Sequence, residues 1–93
     1  MFVLMSIHRP HPEHRGALIE SMHRYGAAIS GRDGLRSIHT LADERSDRLA
    51  GLAIFESEDD YRRLAPIARE AVAEDPFEVW EQVLIDALAL REV

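Results

Sequence analysis

Chemistry in this 93-residue chain must rest on His, acid, Tyr, Trp or Ser, because it has five histidines and no cysteine. His8, His11 and His14 recur every third residue. That spacing invites a metal reading, since imidazoles bind zinc, nickel or copper. Pro10 and Pro12 interrupt any single helix through the three, and no nearby carboxylate pair completes a ligand set. The run is therefore expected to be a solvated loop, with no metal. His39 is different: it falls within a β-type alternation with Leu35, Ser37 and Leu41. A strand fixes its backbone, and an enclosed imidazole there would serve as a general base or orient a phenolic substrate. His8 has a comparable place in the alternation Phe2, Leu4, Ser6, His8. Both are candidate catalytic residues, His39 first. The competing reading is a strand histidine bonded to a neighbour or turned to solvent, and alternation does not tell which face is enclosed.

Phe2, Phe55, Tyr61 and Trp80 are candidates for lining an apolar pocket that takes a quinol-like or polyketide-like ligand. Ordinary packing is the alternative, and Trp80 also suits a dimer interface. Glu58, Asp59 and Asp60 read as the acidic first turn of a helix and not as a catalytic dyad.

The composition narrows the partners. Hydrophobic residues make up 46% of the chain and charged residues 30%, which describes a globular protein and excludes disorder. A net charge of −6, with no lysine and no basic stripe, argues against nucleic acid. Acidity is concentrated in the second half: residues 47–93 carry twelve acids against five arginines. The apolar opening Met1–Met5 has no basic flank and is too short to cross a bilayer, so neither a signal peptide nor a membrane partner is expected, and the expected location is the cytoplasm. One domain, residues 1–93, is expected, too small for a strong core and without disulfide staples.

The candidate residues must be held by a short set of elements. Residues 1–8 read as a strand before the two prolines, with both faces mostly apolar. Pro12, Glu13 and the spacing of Leu18, Met22, Tyr25 and Ile29 predict a helix over 12–30. Arg32-Asp33-Gly34 is turn chemistry before a second strand, 35–41, and a polar loop at 43–47 leads to a third, 48–56, again apolar on both faces. Ser57 and the acids after it cap a helix over 58–73, in which Pro66 predicts a kink or a break. Residues 78–86 are assigned to a fourth strand.

The order βαββαβ implies an α+β, ferredoxin-like antiparallel sheet with both helices on one face. The second apolar face then needs a cover, and a second copy of the chain supplies one, giving a homodimer whose sheets close into a barrel. At this point the sequence resembles the dimeric α+β barrel superfamily, and within it the antibiotic-biosynthesis-monooxygenase-like group. The residues that carry the resemblance are Phe2-Val3-Leu4-Met5, the turn Asp33-Gly34-Leu35, and Leu52 through Phe55 followed by Glu56, Ser57 and the acidic helix start up to Tyr61. The resemblance implies a cofactor-independent monooxygenase acting on a small phenol or quinol, with no cofactor. Haem-degrading members are known for an Asn, Trp and His set; this chain has no Asn, its one Trp is Trp80, and the second helix has no His. Many quinol-oxidising members also carry Trp where Phe55 stands and His near Leu64. Two readings stay open: such an enzyme, or a non-catalytic dimer that binds a small apolar ligand or serves as an interaction module.

Overall fold

The structure, a computed structural model, describes residues 1–93. Strand β1 spans Phe2–His8, and a 3-10 turn at Pro12–His14 leads into helix α1, Arg15–Ile29. Strands β2, Leu35–Ala42, and β3, Leu49–Phe55, form a hairpin. Helix α2, Glu58–Glu70, the helical turn α3, Phe77–Trp80, and strand β4, Asp86–Arg91, complete the chain. The four strands make one antiparallel sheet in the order β2-β3-β1-β4, the ferredoxin-like arrangement. No helix is long and apolar enough to cross a membrane.

Cross-strand pairing sorts the side chains into two faces, because directly opposed residues point the same way. Phe2 pairs with Phe55, Leu4 with Ala53 and Ala89, Ser6 with Gly51 and Ala87, and His8 with Leu49. Both helices pack on this face, where Phe2, Ala53 and Phe55 share a core with Ile29, Leu64 and Ala68. The opposite face carries Val3, Met5 and Ile7 beside Ile54, Leu52 and Ala50, with Leu88 and Leu90 on the β4 side. No part of the chain covers it, and Leu88 and Leu90 are each 40% exposed. The sheet is thus apolar on both sides and covered on one.

Local signals explain most boundaries. Ser57 caps α2 by accepting the Asp60 amide N–H at 3.2 Å, and its hydroxyl donates to Asp60 Oδ2 at 2.8 Å. Gly34, at φ +96°, makes the turn into β2 and leaves room for the Asp60 side chain, which a Cβ there would meet at 2.5 Å.

Three expectations are corrected. Residues 78–86 are not the fourth strand: Phe77–Trp80 form a helical turn after Pro76, and β4 begins at Asp86. There small Ala87 and Ala89 face the helices while Leu88 and Leu90 face out, an alternation that suits a sheet packed on one side. Of the kink or break expected at Pro66, the break does not occur: α2 runs as one helix from Glu58 to Glu70. Pro66 is exposed, so water can satisfy the carbonyl its missing N–H frees, while Leu64, Ala65 and Ala68 anchor both sides of it. The alternation grouping Leu35 with Ser37, His39 and Leu41 is broken by a bulge between Leu35 and Ser37. Leu35 and Ile38 therefore pack on the core side, whereas His39 pairs with Leu52 on the outer face.

Candidate functional site

Beneath the helices the sheet is not filled evenly. At one end Phe2, Phe55 and Tyr61 pack ring on ring, with centroids 4.9 Å apart for Phe2 and Tyr61 and 5.6 Å for Phe55 and Tyr61. Towards the other end the inward residues shrink to Ser6, Gly51, Thr40 and Ala87, and a cleft of about 750 Å³ opens between them and the helices. That volume lies within the range of small-molecule sites. Tyr25, Met22 and Tyr61 form its apolar wall, and Ser6 and His8 stand on its floor.

His8 is held on both ring nitrogens. Nδ1 lies 2.6 Å from Glu81 Oε2, and Nε2 lies 2.8 Å from Ser6 Oγ. The carboxylate of Glu81 only accepts, so Nδ1 carries the proton. In the tautomer that keeps a single proton on Nδ1, Nε2 is the acceptor and the Ser6 hydroxyl the donor. Ser6, His8 and Glu81 thus form a directed line of hydrogen bonds whose open end, the Ser6 oxygen, faces the cleft. Ser6 and His8 are two residues apart on one strand, which puts both on the same face. Gly51 opposite Ser6 makes the room: a Cβ there would come within 2.7 Å of Ser6 Oγ.

Glu81 arrives from the far end of the chain, and its position is fixed by a short extension of the β1 edge. Pro10 and Glu81 form an isolated antiparallel bridge. The His11 amide N–H donates to the Trp80 carbonyl at 2.8 Å and the Gln82 N–H to the Arg9 carbonyl at 2.7 Å. The second carboxylate oxygen, Oε1, accepts the Arg9 amide N–H at 2.9 Å. The His8 and Glu81 side chains are only 7% and 4% exposed, so both groups are desolvated and satisfied by each other.

The phenol of Tyr25 also faces the cleft, and burial raises its pKa above the ordinary tyrosine value; the Arg69 guanidinium opposes the shift and Tyr61 adds to it. Tyr25 therefore keeps its O–H as a donor. Asp75 accepts the Ser21 hydroxyl at 2.6 Å and an Arg24 N–H at 2.9 Å, tying α1 to the segment after α2. These bonds hold its carboxyl below the usual aspartate range.

The sequence candidates divide accordingly. His8 is at the site and Tyr61 lines it. Phe2 and Phe55 are buried core residues under Tyr61. Trp80 stacks edge-on against Phe77 at 5.7 Å, outside the cleft lining. His39 borders the cleft at the β2 edge, but it shares the outer row of Leu52 and Met5 and is on the other face from His8. The histidine triplet does not converge, because His8 turns inward while His11 and His14 stack with centroids 6.4 Å apart. Glu81, Ser6 and Gly51 are the functional residues that pattern reading missed. The one available signal for Glu81 was a lone acid in the run Val79 to Ile85, which is otherwise apolar except for Gln82.

No family model and no curated protein matches the chain in sequence. Solved structures do match in shape. Rv0793 from Mycobacterium tuberculosis superposes with a TM-score of 0.82 at 16% identity, covering 99% of this chain and 94% of that one. A structure described as an antibiotic biosynthesis monooxygenase gives 0.79 at 6% identity, covering 100% and 99%. The fold is that of the antibiotic biosynthesis monooxygenase domain. MhuD, solved with two manganese protoporphyrin IX molecules per active site, also has this fold, at TM-score 0.74 and 16% identity over 100% of this chain and 95% of that one. The haem-degrading version of the fold is not matched residue by residue here: Asn is lacking, Trp80 is outside the cleft and α2 carries no His.

Proposed function

We propose that the chain acts as one domain, a monooxygenase-type enzyme without a cofactor, on a small phenol or quinol bound in the cleft. The line of hydrogen bonds Glu81, His8, Ser6 opening into that cleft carries the reading, and the shared fold supports it. A substrate hydroxyl donates to Ser6 Oγ, Ser6 passes its own proton to His8 Nε2, and Glu81 stabilises the imidazolium that forms. The resulting phenolate is electron-rich enough to reduce oxygen. For a hydroquinone the balance closes without another reductant: the substrate and one O2 give a hydroxyquinone and one water, all four electrons coming from the substrate. Tyr25, kept protonated by burial, orients the ring from the wall.

A purely ligand-binding role needs no such line. A buried acid and imidazole cost desolvation free energy that an apolar pair of the same size would not. Oxygen uptake with a panel of hydroquinones tests the reading. Uptake at one O2 per quinol, lowered about 10²-fold or more in His8→Ala, is expected; no uptake above the buffer rate with any member of the panel contradicts it.

The working form in this reading is a cytoplasmic homodimer, with a second copy covering the outer face of Met5, Leu52, Leu88 and Leu90. A monomer rarely leaves so continuous an apolar sheet face in water. Light scattering should give twice 10.6 kDa at micromolar concentration. Leu52→Arg should halve that mass, and a wild-type monomer would contradict the assembly.

A further inference from the structure

We infer that Ser6 is an activated nucleophile, and that the cleft also accepts and cleaves activated carboxylic esters with small apolar groups. The inference does not depend on oxygen chemistry. A serine hydroxyl is inert unless a base takes its proton as it attacks and an acid holds that base in the right tautomer. Each requirement is met by a contact in the structure: Ser6 Oγ is 2.8 Å from His8 Nε2, and Nδ1 of the same ring is 2.6 Å from a Glu81 carboxylate oxygen. The other Glu81 oxygen is tied to the Arg9 N–H, so the carboxylate cannot swing away from the ring. The ring has no freedom either, being 6% exposed on a strand paired on both sides. Gly51, with no side chain, leaves the nucleophile open towards β2.

The reaction then follows without any redox partner. Ser6 Oγ adds to the ester carbonyl carbon as its proton passes to His8 Nε2. The C–O bond to the leaving group breaks, and the leaving alcohol takes the proton from His8. Water, deprotonated by the same nitrogen, releases the acid and restores Ser6. The apolar wall of Met22, Tyr25 and Tyr61 suits an aryl or short acyl ester. The backbone N–H groups beside Ser6 on β1 and β3 serve the sheet ladder and are not free to receive the oxyanion. Fast attack on activated esters, with modest turnover, is the signature expected of that balance.

The test uses the full chain with p-nitrophenyl acetate and a fluorophosphonate, which Ser6 attacks at phosphorus with loss of fluoride. One label per chain is expected on the intact protein, mapped by peptide mass spectrometry to Ser6. His8→Ala should slow labelling about 10²-fold or more and Glu81→Gln at least about 10-fold, and Ser6→Ala should abolish it. Because the site is mapped on the wild type, the result does not hang on whether a variant folds. No label on the wild type, or label on serines other than Ser6, overturns the inference. Labelling without oxygen uptake would sustain it while removing the oxygenase reading, and the reverse outcome would do the opposite.

Discussion

The two faces of the sheet carry one histidine each, and the contrast between them separates a site from a surface. His8 and His39 both sit in strands, both flanked by alternating apolar residues, so by residue type they are equivalent. The covered face gives His8 a carboxylate at 2.6 Å, a hydroxyl at 2.8 Å and a cleft in front. The open face gives His39 a row of Leu52 and Met5 and exposure to solvent. A strand position fixes a side chain's direction, but chemistry needs the second and third groups that only tertiary structure brings.

The sharpest way to break this contrast is to exchange the histidines one at a time. His8→Ala should lower oxygen-dependent turnover about 10²-fold or more, and His39→Ala should leave it within about twofold, as read by initial rates on one quinol. Equal losses would erase the distinction between the faces. A second comparison sets the buried acid against an exposed one. Glu81→Ala leaves His8 Nδ1 and the Arg9 N–H without their partner and should cost roughly 1–3 kcal/mol by urea unfolding. Glu56→Ala removes only an exposed partner of Arg36, and its urea midpoint should stay close to wild type.

Glycines sharpen the account further. Gly51→Ala places a Cβ 2.7 Å from Ser6 Oγ and should push that hydroxyl off His8, with loss of turnover larger than the loss of stability. Gly16 in α1 has open space around it, and Gly16→Ala should be neutral or stabilise by about 0.4–1 kcal/mol. The smallest effect concerns acid. Asp75 has its folded pKa lowered by the Ser21 hydroxyl and Arg24, so the stability it adds is fully present above the ordinary aspartate value of 3.8 and is lost as pH falls through the lowered one. Asp75→Asn should flatten that acid limb in a series of urea midpoints, while leaving turnover near neutral pH unchanged.

Local chemistry made much of the fold readable. Pro12, the turn Arg32-Asp33-Gly34, the Ser57 cap and the alternation in β1 and β3 each act within a few residues, and each appears where those residues predict. The apolar second face was legible for the same reason. What failed was non-local. The bulge after Leu35 reverses the parity of β2 and so decides where His39 points, and no residue in Leu35-Arg36-Ser37 signals it. The run from Phe77 to Leu88 is apolar at both helical and strand spacings, and its outcome was decided by pairing with β1. Glu81 lies 73 residues from His8 in sequence, so the pair exists only once Pro10 and Glu81 bridge the ends of the chain. Of the line itself only His8 was therefore legible as a candidate; Ser6 and the acid that orients the ring were not.

The line from Glu81 through His8 to Ser6 requires one particular tautomer, and nitrogen NMR of the histidine rings reads it directly. At neutral pH in the free protein, His8 should show a protonated Nδ1 and an unprotonated Nε2, converting towards the other tautomer in Glu81→Ala, while His39 behaves as a solvent-exposed ring in both proteins. A His8 ring with its proton on Nε2 would make Ser6 an acceptor and not a donor, and would contradict both the base and the nucleophile assigned here.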